Sequence, residues 1–211
     1  MTLAALCSNA SIALNSVSGE DVSFEAAVSG ISPTVIITSS QTISTFHAKL
    51  AAFNKVITFR IRNYFRRQTL QAGNMPPKQQ MRGRLAASLS DLRLLMVYAR
   101  PESSASPRLS SSELTDLRSG LGVRIAYALT AKNVAGAVCQ TNILDYRLKA
   151  GAAHFGPPLS SVEVRLVGDE EDMGKAVPHG KIMVKGPAVV GGETTLDLEG
   201  VFGEDNTLSI V

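Results

Sequence analysis

The residues best placed to do chemistry stand at the end of one short run, Val123-Arg124-Ile125-Ala126-Tyr127-Ala128-Leu129-Thr130-Ala131. Val123, Ile125 and Tyr127 alternate with Arg124 and Ala126, the period-two pattern of a strand. The run then closes on small residues and a hydroxyl, Ala128 to Ala131. Small side chains at a carboxyl end let a ligand approach the main chain, and in α/β sheets ligands sit at that end of the strands. A plain core strand followed by a loop has the same pattern in isolation. The surrounding elements must therefore decide.

Composition removes several other chemistries. Cys7 and Cys139 stand apart, with no CxxC pair and no clustered histidine, so neither a disulfide framework nor a zinc site is expected. That pattern suits a reducing compartment. A net charge of +3 is too small by itself to imply nucleic acid. The first basic residue is Lys49, so the opening residues lack the positive region of a signal or transit peptide. No run approaches the roughly 18 apolar residues of a membrane span. The expectation is an intracellular chain, cytoplasmic or peripheral on an organelle membrane. With 45% hydrophobic residues but only 5% aromatics and no Trp, its core must be aliphatic.

The elements that must position Thr130 come in an α/β order. Ser11 to Leu14 reads as a short strand and Val22 to Val28 as a short helix. Pro33 to Thr38 is a continuous β-branched run, the pattern of a strand buried on both faces. A helix follows near Ser40, with Thr42 or Ser44 as cap candidates. Gly73 to Lys78 breaks a long helical stretch from a short helix around Gln79 to Leu89. Leu92 to Tyr98 is an apolar strand, and Arg100 to Pro107 a loop rich in Pro and Ser. Ser110-Ser111-Ser112-Glu113 supplies a cap and an acidic first turn for a helix through Leu114, Leu117 and Leu121 that ends at Gly122. Such an order predicts a mostly parallel sheet with helices over residues 1–154.

Residues 155–211 change period. Val162, Val164 and Leu166 alternate with Glu163 and Arg165, and an acidic turn runs from Asp169 to Asp172. Ile182 and Val184 alternate with Lys181, Met183 and Lys185. This predicts a small antiparallel β lobe, with the boundary near His154.

Phe53, Ile57, Ile61, Tyr64 and Phe65 recur at helical spacing, interleaved with Lys55, Arg60, Arg62, Arg66 and Arg67. Nine basic residues and no acidic one lie between Lys49 and Arg84. A solvated helix face has this composition, and so does a basic amphipathic helix lying on an anionic membrane. No nucleic-acid recognition motif accompanies it.

The order of these pieces resembles the adenylate-forming (AMP-binding) ligases, and most closely the middle of a long-chain acyl-CoA synthetase. The family's Tyr-Gly-x-Thr-Glu is matched by Tyr127-Ala128-Leu129-Thr130-Ala131, and its Gly-x-Pro and Val-rich strand by Gly156-Pro157-Pro158 and Val162 to Val167. Pro-x-Gly-Glu, a strand and Gly-Pro are matched by Pro178 to Pro187, and Thr-Gly-Asp by Thr195-Leu196-Asp197. The resemblance implies a partial adenylation domain that binds ATP or AMP and a carboxylic acid, fatty acids included. A carboxylate would attack the α-phosphate, and the thiol of CoA would then take the acyl group. By the same resemblance Tyr127 would flank the adenine beside Ala128, Thr130 would donate to a phosphate oxygen as the catalytic hydroxyl, and Asp197 would hold the ribose.

The departures carry equal weight. The family's magnesium-binding Glu falls on Ala131, which has no ligand atom, so no metal ligand is assigned. The motif glycines are Ala128 and Leu196, the adenine loop is replaced by Tyr98 to Pro107, and the Gly-rich phosphate loop with its lysine is absent. The family's C-terminal lysine domain would lie beyond Val211. Two expectations follow: a fragment or degenerate copy of an acyl-CoA ligase that is inactive alone, or a non-catalytic binding or scaffold protein built on the same lobes.

Overall fold

Two kinds of hydrophobic pattern build two kinds of sheet. The computed structural model describes residues 7, 10–14, 23–53, 57–78, 87–101, 106–148, 151–169, 173–175 and 177–211, apart from the side chains of 53 and 57–60. The first sheet holds β1 (Val35–Ser39), β2 (Leu94–Ala99), β3 (Arg124–Thr130) and β4 (Ala137–Gln140), in that order across the sheet. β1, β2 and β3 run parallel, and β4 returns antiparallel along β3. The second sheet is wholly antiparallel, in the order β5 (Glu163–Val167), β6 (His179–Lys185), β7 (Glu193–Phe202) and β8 (Leu208–Ile210).

The helices whose bounds are described are α1 (Phe24–Val28), α2 (Ser40–Phe53), α3 (Ile57–Gln71) and α4 (Ser111–Leu121). α4 is bounded by its own sequence. Ser110 Oγ accepts from the Glu113 N–H at 3.1 Å, and the Glu113 carboxylate accepts from the Ser110 N–H at 2.7 Å. The reciprocal pair satisfies two helix donors that would otherwise lack partners. Gly122 then closes the helix at φ 64. A side chain there would also strike Lys78, whose Cα lies 2.7 Å from the Cβ position.

Leu95, Val97 and Ala99 of β2 and Ile125, Tyr127 and Leu129 of β3 are fully buried, in one cluster with Ile43 and Phe46 of α2 and Leu114 and Leu117 of α4. The second sheet adds Ile182, Val184, Leu196 and Leu208 to the same cluster. Phe155 joins the sheets: its ring stacks on Tyr127 at 4.7 Å and its N–H donates to the Leu208 carbonyl at 2.8 Å.

Four expectations change. Residues 11–14 are exposed and form no strand. The Pro33–Thr38 run becomes β1, which is not buried on both faces: among the described residues it lies at a sheet edge, with Val35 and Ile37 about half exposed. A continuous apolar run reports an apolar surface but not what covers it. β1 passes straight into α2, so the cap is Ser39, whose Oγ accepts from the Thr42 N–H, while Thr42 and Ser44 lie inside the helix. The short strand β4 was not anticipated. Val22, Lys55, residues 79–86 of the expected short helix, 102–105 of the Pro/Ser loop and 170–172 of the acidic turn lie outside the described residues. Among the described residues, no helix is long and apolar enough to cross a membrane.

Candidate functional site

The parallel register brings three strand ends into line. Ser39 pairs with Tyr98, Tyr98 with Ala128, and Ala99 with Leu129, so β1, β2 and β3 finish side by side. Hydroxyls gather there. Thr130 Oγ1 donates to the Ala99 carbonyl at 3.0 Å. Ser40, fully buried at the start of α2, places its Oγ 3.1 Å from Ser106 Oγ. The Arg100 N–H donates to Ser106 Oγ at 2.9 Å, and Ser39 Oγ lies 3.0 Å from Thr42 Oγ1. The amino end of α2 opens onto this set, and a helix amino end carries partial positive charge. Hydroxyls and main-chain donors at a helix amino end are the kind of groups that an anionic ligand meets.

Of the residues expected from sequence, Tyr127, Ala128 and Thr130 share β3. Tyr127 is fully buried, its phenol oxygen accepting from the Leu109 N–H at 3.2 Å and its ring covered by Phe155. Thr141 clamps its main chain, accepting from the Tyr127 N–H through Oγ1 at 2.8 Å and donating its own N–H to the Tyr127 carbonyl at 2.9 Å. Burial pushes the Tyr127 phenol up to about 12. Ala128 is also buried. Asp197 stands in the other sheet, on the outward side of β7, with Leu196 beneath it in the core and Lys181 Nζ at 3.8 Å.

Between Leu129 and Thr130 the pairing of β3 with β4 shifts register, and past Thr130 the chain turns through Asn133 at φ 64 and Gly136 at φ 115. This loop is tied to the second sheet: the Ala135 N–H donates to the Ala188 carbonyl at 2.7 Å, and the Val190 N–H to the Asn133 carbonyl at 2.9 Å. Ala131 lies buried at its start. A methyl group there offers no oxygen to a cation, so this position does not fit a magnesium ligand. Among the described residues, no group of three His, Cys, Asp or Glu could hold a metal ion.

Two features lay outside the sequence reading. Ser39 and Ser40 are neighbours in sequence but lie 66 residues or more from Ser106, and only the Ser-rich loop hinted at their meeting. The second is an ionic knot between the sheets. Arg147 bonds both Asp145 and Asp205, and His154 Nε2 lies 3.3 Å from Asp145. Hydrogen bonds from Arg147 hold the Asp145 carboxyl below the usual carboxylate range, against the opposing effect of burial. Residues 144–148 line an open recess of 510 Å³ with Gln71 and Gly73, and none of Tyr127, Ala128, Thr130 or Asp197 lines it.

With this geometry in place, solved structures of CoA ligases prove similar. Anthranilate CoA ligase AuaEII in complex with anthranoyl-AMP has a TM-score of 0.55 at 14% identity, over 87% of this chain and 30% of the ligase. O-succinylbenzoate coenzyme A synthetase from Bacillus subtilis, in complex with ATP and magnesium ion, gives 0.50 at 14% identity over 84% of this chain and 31% of the synthetase. The same synthetase with its acyl-adenylate intermediate gives 0.50 at 15% identity, over 84% and 30%. No family model matches the chain, and no curated protein matches it. The chain therefore has the fold of part of an adenylate-forming ligase, spanning about 30% of the length of these structures.

Proposed function

We propose that this chain is a fragment or degenerate copy of an ATP-dependent acyl-CoA ligase that binds nucleotide at the carboxyl ends of β1, β2 and β3 and does not form acyl-adenylates by itself. The observation that carries this is the convergence of three parallel strand ends on Ser39, Ser40, Ser106 and Thr130, within a fold shared with CoA ligases. Thr130 would turn its hydroxyl from the Ala99 carbonyl to a phosphate oxygen. Ala128 would lie beneath the adenine and Asp197 would meet the ribose, while Tyr127, its ring covered by Phe155, would back the site from within the core and not touch the base. The whole reaction would activate a carboxylic acid, fatty acids included, and pass the acyl group to CoA inside the cell. Phosphoryl chemistry needs donors and cations preorganised where charge develops. Ala131 supplies neither, which supports loss of chemistry with retention of binding. That same position favours the second reading, a non-catalytic binding or scaffold protein on this fold. The basic stretch from Lys55 to Arg67 would meet an anionic membrane.

Calorimetric titration with AMP tests the nucleotide site. Measurable binding is expected, weakened roughly tenfold in Thr130→Val by loss of one hydrogen bond to a charged group. Absence of binding by AMP and ATP alike would contradict the proposal; binding unchanged by Thr130→Val would remove the threonine from it.

A further inference from the structure

We draw no further inference here: the strongest candidate, the exposed apolar face of α3 formed by Ile61, Tyr64 and Phe65, carries nothing, because nothing in the structure shows what covers it.

Discussion

Tyr127 and Cys139 show how burial at single residues sets a condition for the fold. Cys139 is fully buried on β4, and burial pushes its thiol from an ordinary 9.0 up to about 12, as it pushes Tyr127 from 10.0 up to about 12. Both are acids whose folded pKa is raised, so their contribution is fully present below the unfolded pKa and lost as pH rises toward the folded one. We predict a loss of stability beginning near pH 9 and steepening above pH 10, at up to about 1.4 kcal/mol per pH unit for each group. Urea midpoints across this range measure it, and Cys139→Ala should flatten the part between 9 and 10. A midpoint constant through pH 10 would contradict the burial argument. Gly156 makes a steric prediction. It sits at φ 78, and an added Cβ would lie 2.2 Å from the Gln140 carbonyl oxygen. Gly156→Ala should destabilise the chain by about 3 kcal/mol or more, from left-handed strain and a main-chain clash together. A thermal midpoint within a degree or two of the parent would refute this.

Among the elements, the contact between α3 and α4 is polar and can be cut at one residue. Asp116 accepts from Arg67 Nε at 2.8 Å and lies 3.4 Å from His47 Nε2 of α2, so one carboxylate ties three helices. Burial works to raise its pKa, but the hydrogen bonds of His47 and Arg67 outweigh it and hold the carboxyl below the usual range. Asp116→Ala should cost about 1 kcal/mol, since the pair is partly solvent-screened. It should also raise hydrogen exchange across Arg62–Gln71 more than across β3. Uniform exchange changes would show that Asp116 does not hold α3 in particular. These elements also mark what was legible in the sequence. The capping box at Ser110 and Glu113, the glycine stop at Gly122 and the alternation in β3, β5 and β6 are local signals, and the structure carries each. The edge position of β1 depends on what pairs with it, and β4 is four residues, too short for a period to emerge. Which way α3 would turn was illegible as well, because its direction is set by Asp116 and Ser119, some fifty residues away in the chain.

For the molecule as a whole, the order of motifs was more legible than the site. Tyr127, Thr130 and Asp197 could be named as candidates only through the resemblance to the ligase motifs. That Phe155 would cover the Tyr127 ring, and that Ser40 and Ser106 would meet beside Thr130, depends on chain crossings that no local pattern records. Joined sheets with one shared core fit a chain whose fold is similar to about 30% of a CoA ligase structure. The proposed function is that this fold binds nucleotide yet does not activate acids, for want of charge stabilisation at the phosphates. Loss of even one preorganised donor costs on the order of 10²–10³ in rate, and Ala131 replaces a metal carboxylate in the resembling motif. ATP–pyrophosphate exchange by the purified chain, with fatty and aromatic acids and magnesium, measures activation directly. The account predicts no exchange above the protein-free control while AMP still binds; robust exchange with any acid would contradict it.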